Sequence, residues 1–196
     1  QKNRPSKRCP MDRVEARALL EEHAKGEVLI RHAVAVEACM RAAAQELGED
    51  EERWGIAGML HDFDWDVCPT PEEHPEFGAQ ILRDRGYPDD IVRAVLSHGN
   101  HTGVARESQM EKTLFGVDEL SGFVTAVALM RPTKSLADTD VRSVRKKMKS
   151  KGFARSVSRE DIVQGAEEMG VDLDEHIQFI IEALKPVAGE LGLNTA

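Results

Sequence analysis

The sequence predicts an all-α protein, and three observations predict it. Nearly every segment repeats its apolar residues at helical spacing, with glycine, proline and small polar residues at the segment ends. Period-two runs bounded by turn residues are missing. Residues that favour strands are also scarce, with six Phe, one Tyr and two Trp in 196 residues.

The elements follow in order. A first helix is expected over about 12–25 and a second over about 28–47, closed by Gly48. The third, about 50–62, carries Trp54, Ile56, Ala57, Met59 and Leu60. Thr70-Pro71-Glu72-Glu73 supplies an N-cap, a proline at the first helical position and an acid three residues on, so a helix is predicted from there to about Arg85, stopping at Gly86. Pro88 opens the next, which runs to Ser97, with Asp89 and Asp90 complementing its dipole. A long helix over about 111–131 ends at Pro132, and its second half, Phe123 to Met130, is apolar nearly all round, as in a central buried helix. A basic helix is expected at about 138–150, another from Ser158 to Met169 closed by Gly170, and a last one over about 172–191. That last helix carries Leu173, Ile177, Ile180, Ile181 and Leu184 on one side. With no internal repeat or linker, residues 11–196 read as one helical domain.

Composition excludes several classes. At 41% apolar and 31% charged, the chain lies in the globular range. Its longest apolar run, Phe123 to Met130, is far short of a membrane span. The basic start QKNRPSKRCP has no apolar segment after it, so it is not a secretory signal; residues 1–10 read as a disordered or expression-derived tail, with Met11 a natural start. Cys9, Cys39 and Cys68 make an odd count without paired spacing, so a reducing compartment, the cytoplasm, is expected. A net charge of −9 argues against nucleic acid binding over the whole surface. The charge is segregated, however. Of 26 basic residues, eight lie in 142–159 with no acid among them, leaving 18 against 35 acids elsewhere. Three readings of that stretch stay open: phosphate binding, an acidic surface within the chain, or a solvated face.

The chemistry points to a metal. Five of seven histidines, His32, His61, His74, His98 and His101, lie in the first half of the region from Met11 onward, and one is followed directly by Asp62. Neutral imidazole and carboxylate are ordinary ligands of divalent first-row metals. Neighbouring residues on a helix point about 100° apart. His61 and Asp62 can therefore share one ion only where the helix ends, and that is where the pattern places them. His32 lies early in the preceding helix, and Asp118 enters the long apolar one. His23 and His176 read as surface or core residues without a catalytic role.

The segments LIRHAVAVE, GMLHDFDWD and GVDELSGFV, in that order, resemble the H…HD…D signature of the HD-domain metal-dependent phosphohydrolases, over about 28–131. EEHPEFGAQIL resembles the HP-x-x-GA segment of the HDIG and HD-GYP branches, and AVLSHGNH their histidine-bearing helix end. The text from Thr133 to Glu160 is similar to a group of predicted HD hydrolases. The resemblance implies an HD-type helical bundle over about 28–131 with a basic helical extension over about 138–196. It also implies one metal on His32, His61, Asp62 and Asp118, and a second, bridged by Asp62, on His74 and His98. Gly99 stands where many two-metal members have another histidine, with His101 two residues later. Trp65 replaces the lysine of HDIGK, and Val28 replaces the glutamate of trinuclear members, so neither a trinuclear site nor cyclic-di-GMP hydrolysis is expected.

The expected activity is metal-dependent hydrolysis of a phosphate ester, a phosphomonoester or nucleotide, by metal-activated water. One or two divalent ions (Mn, Fe, Co, Ni, Zn or Mg) are implied as cofactors. In this scheme Asp62 bridges, Asp66 or Asp64 handles the proton, and Arg145, Lys146 and Lys149 are candidate phosphate contacts. The expected partner is a small phosphorylated substrate, with neither membrane nor nucleic acid; a homodimer is one option for the oligomeric state. Two alternatives stay open: a di-iron oxygenase of HD type, and a degenerate HD domain that binds a ligand without turnover.

Overall fold

Two 21-residue helices organise the molecule, α2 (Glu27–Leu47) and α6 (Gln109–Leu129). The computed structural model describes residues 12–195; the expected N-terminal tail, with Cys9, lies outside them. Both helices carry apolar residues on most of their circumference, so both must be covered. Before α2 comes α1 (Arg13–His23), and after it α3 (Glu51–Leu60), which lies along α2. The remaining helices are α4 (Glu76–Asp84), α5 (Asp89–Ser97), α7 (Val141–Met148), α8 (Arg159–Met169) and α9 (Leu173–Leu184). Helix α5 packs on α3, α4 and α6, and α8 and α9 also pack on α6. The described residues contain no strand, and none of their helices is long and apolar enough to cross a membrane.

Local chemistry sets the boundaries. Gly48 ends α2 in the left-handed region at φ 71°, its N–H returning to the Ala44 and Gln45 carbonyls. Asp50 caps α3 by accepting the Arg53 N–H. Ser108 and Glu111 form a capping box at the start of α6. Buried Glu37 on α2 accepts from Arg13 at 2.7 Å and Arg41 at 2.9 Å, and Arg41 reaches on to Glu52, which joins α1, α2 and α3. Helices α6 and α8 meet at two glycines: a Cβ on Gly165 would lie 2.6 Å from the Gly116 Cα.

The structure departs from the sequence reading at two places. The helix predicted from Thr70 begins only at Glu76, and residues 70–75 form turns instead. A second proline explains this. Pro75 has no N–H to give Pro71, and its ring disfavours helical backbone at His74. The chain therefore stays in turns until Pro75 can serve as the N-cap of α4. The last helix likewise ends at Leu184 and passes into a 3₁₀ turn over Lys185–Val187, because Pro186 cannot continue the α-helical ladder.

Candidate metal centre

Four helices deliver the donors. His32 comes from the second turn of α2, His61 from the C-cap of α3, His98 from the C-cap of α5, and Asp118 from the middle of α6. Asp62 follows His61 into the turns after α3, and His74 lies in the turns before α4. Because α3 ends at His61, the backbone leaves the helical path there, and both members of the pair can face one point.

The distances fall into two groups sharing Asp62. In the first, His32 Nε2 lies 3.2 Å from His61 Nε2, 3.0 Å from Asp118 Oδ1 and 3.9 Å from Asp62 Oδ2. His61 Nε2 lies 3.4 Å from Asp118 Oδ1 and 3.5 Å from Asp62 Oδ2. In the second, His74 Nε2 and His98 Nε2 are 3.3 Å apart, and each is 3.1 Å from Asp62 Oδ1. Asp62 thus turns one oxygen to each group.

These separations fit a divalent ion. Ligand bonds of about 2.1 Å place neighbouring donors about 3.0 Å apart at right angles and about 3.4 Å apart at tetrahedral angles. The opposite ring nitrogens support the fit. His61 Nδ1 is 2.7 Å from Gly58 O and His98 Nδ1 is 2.6 Å from Val95 O, acceptors that fix the proton there and turn the Nε2 lone pair to the centre. His74 Nδ1 faces Asp64 Oδ1 at 2.7 Å.

Asp64 is fully buried and also accepts the Gly78 N–H at 2.8 Å. A Cβ at Gly78 would stand 2.9 Å from the Asp64 carboxyl carbon, so only glycine lets the α4 backbone come this close. The electrostatics agree with a site built for cations. Burial works to lower the basicity of His61, but Asp62 and Asp118 outweigh it and push its pKa up to about 10. For His74, burial again opposes, and Asp62 and Asp64 raise it to about 9. Asp62 and Asp118 are held well below the usual carboxylate range; burial opposes this, and the facing histidines prevail.

His32, Asp62, His74, His98 and Asp118 line a cleft of about 970 Å³, together with Trp65, Asp66 and Glu119, while His61 is fully buried and lines no part of it. Asp66 accepts the Lys25 N–H at 2.7 Å. Burial and neighbouring Asp118 push the Glu119 carboxyl up to about 7, against the Ser158 N–H. His101 stays outside both donor groups, its Nε2 on the His74 carbonyl at 2.9 Å. His176 is buried with Nε2 on Gly116 O at 2.8 Å, and burial lowers its pKa. His23 packs edge-on against Phe63.

The structure does not bring the three candidate phosphate contacts to the donors. Arg145, Lys146 and Lys149 line no part of the cleft, and Arg145 pairs instead with Asp174 at 3.2 Å. Arg159 donates to the carbonyls of Phe153, Ala154 and Val157 and lies over the Phe123 ring, fixing the 153–157 loop as a cleft wall. Arg106, which sequence reasoning missed, donates to Ser97 O at 2.8 Å and to Glu168, and so ties the end of α5 to α8. Arg31 was missed too, although it adjoins His32 in the chain.

A family model of the HD domain matches residues 29–122. The chain carries an HD domain. All six donors of the two groups fall within it, whereas the loop at 153–157 and helices α7 to α9 lie beyond the matched segment. Curated relatives each align over a little under half of the chain. Ribonuclease Y of Oleidesulfovibrio alaskensis is 33% identical over 95 residues, covering 48% of this chain and 18% of the relative. Ribonuclease Y of Pseudothermotoga lettingae is 34% identical over 85 residues, with 42% and 17% covered. That of Lactobacillus gasseri is 30% identical over 97 residues, with 49% and 18% covered. The chain therefore spans less than a fifth of the length of these relatives. No solved structure matches.

Proposed function

We propose that the protein is a metal-dependent phosphohydrolase that binds two divalent ions and cleaves a phosphate ester of a small molecule. One observation carries this reading: Asp62 turns Oδ1 towards His74 and His98 and Oδ2 towards His32 and His61, the arrangement of a carboxylate bridge between paired sites. Bound there, a pair of ions would lower the pKa of a water from about 15.7 towards about 7 and neutralise phosphoryl oxygens.

The chain's own residues do the rest. His32, His61 and Asp118 would hold the first ion, His74 and His98 the second, and Asp62 both. Asp64 keeps the His74 ring in place through Nδ1. With both Asp64 oxygens engaged by N–H donors, Asp66 on the cleft wall is the better carrier for the proton released by the attacking water. Phe115 and the loop at 153–157 close one side of the cleft and restrict water.

A second reading, cleavage of a nucleic acid phosphodiester, is favoured by the relatives named Ribonuclease Y. The cleft weighs against it, because five carboxylates and one guanidinium line the walls. A polyanion needs the reverse balance. One panel separates the two. Phosphomonoesters, nucleotides, phosphodiesters and short RNA would be offered to the protein with Mn, Fe, Co, Ni or Mg. Metal-dependent phosphate release that disappears in Asp62→Ala supports the proposal. Cleavage of RNA alone transfers the activity to the second reading. Tight nucleotide binding without turnover in every metal would refute both.

A further inference from the structure

The cleft divides into two unlike halves. One part of its lining is five of the donors and the carboxylates of Asp66, Glu119 and Asp161. Its mouth carries three large apolar side chains that remain open to solvent: Val28 at 84%, Trp65 at 41% and Leu129 at 40% exposed. Single exposed apolar residues are ordinary, but three around the mouth of one cavity mark a place where an apolar group is received. Trp65 is held for that use. Its ring stands perpendicular to the His74 imidazole with centroids 5.0 Å apart, so its position is coupled to a donor of the second group.

Among the described residues lining this cleft, Arg31 is the one lysine or arginine. It follows Val28 by three residues, which puts those two on one side of α2, and it precedes His32 in the chain. One of its five donors reaches Glu27 at 2.9 Å, in an i,i+4 pair whose carboxylate is 81% exposed. Such a pair is weak and gives way readily to a ligand anion. Its guanidinium also lies close to Gly192, where the backbone has φ 76° and a Cβ would be 2.9 Å from Nη1. Arg31 is therefore positioned from two sides on the cleft wall. A volume of about 970 Å³ admits a small molecule, not a folded polymer.

We infer that the mouth is a subsite for a flat apolar ring on a small phosphorylated ligand, with Arg31 clamping the phosphoryl group and Trp65, with Val28 and Leu129, receiving the ring. This rests on the phosphohydrolase reading for the position of the phosphoryl group, and it adds the class of substrate. Arg31 gives a planar pair of N–H donors to two phosphoryl oxygens. The indole gives a ring face for stacking.

The test is calorimetric titration of the Mn-loaded full chain with phenylphosphonate and with methylphosphonate, which share the anion and differ in the ring. Phenylphosphonate should bind about tenfold tighter. Trp65→Ala should bring the two within about threefold of each other by weakening only phenylphosphonate. Arg31→Ala should weaken both by about tenfold, and Arg31→Lys should restore part of the loss. Bound Mn per chain, measured on each variant, reports that the fold and the donors are intact. Equal affinities in the parent protein, a ring preference that survives Trp65→Ala, or no loss in Arg31→Ala would overturn the inference and leave the hydrolase reading standing. A parent chain that takes up no Mn would remove both.

Discussion

The buried carboxylate of Asp64 faces His74 Nδ1 at 2.7 Å, and so fixes which nitrogen of that imidazole is turned to Asp62. Partners of this kind typically contribute 10–100-fold to metal affinity, as an order of magnitude. Asp64→Asn removes the charge and lets His74 turn. Calorimetry with Mn should then show the second ion bound about 10–100-fold more weakly and the first ion unchanged. Equal loss at both sites would mean that Asp64 supports the fold rather than the ligand.

Metal affinity should rise with pH. Without metal, His61 and His74 keep protons up to about 10 and about 9, so an ion must displace them at neutral pH. Each displaced proton contributes roughly a tenfold gain per pH unit below those values. The stability of the metal-free chain runs the other way. Both folded-state values lie above the unfolded one of about 6.5, so their contribution is complete below that pH and is lost as pH rises through 9 to 10. Thermal melts of metal-free protein from pH 6.5 to 9.5 should show a falling midpoint, and a rising one would contradict the assignment.

Glu37 joins three helices and is not among the donors of the metal centre. Glu37→Ala leaves Arg41 without its α2 partner, at a cost of about 2–3 kcal/mol, below the fully buried case because Arg13 is 45% exposed. Denaturant titration checks the size. Mn stoichiometry should not change.

The glycine crossing of α6 and α8 is asymmetric. On Gly165 a Cβ meets the backbone of Gly116, whereas on Gly116 it meets the end of the Met169 side chain, which can swing away. Gly165→Ala should therefore cost about 1–3 kcal/mol and Gly116→Ala less, as read from unfolding midpoints. Equal costs would show that the helices separate easily.

Sequence reasoning reached the fold because caps and apolar spacing act locally, as at Gly48 and Ser108. It reached the donors because His61 and Asp62 fall at a helix end and Asp118 in an apolar helix, and those contexts are written in the chain itself. It misjudged the start of α4, where two prolines competed and the nearer helix signal, Thr70-Pro71, lost to Pro75. Arg31 and Arg106 gave less away, because the contacts that tie them to the rest of the fold, at Gly192 and at Glu168, lie far along the chain. Charge spacing along α7 likewise says nothing of which surface that helix faces. Arg145 turned out to meet Asp174 of α9, a contact no local pattern encodes.

The central claim is that one carboxylate, Asp62, joins two adjacent ions. Anomalous diffraction from crystals grown with Mn tests it most directly. The account predicts two peaks about 3.5–4 Å apart, one on either side of the Asp62 carboxylate, with His32, His61 and Asp118 at the first and His74 and His98 at the second. A single peak, or two peaks with Asp62 bound to neither or to only one, would contradict it.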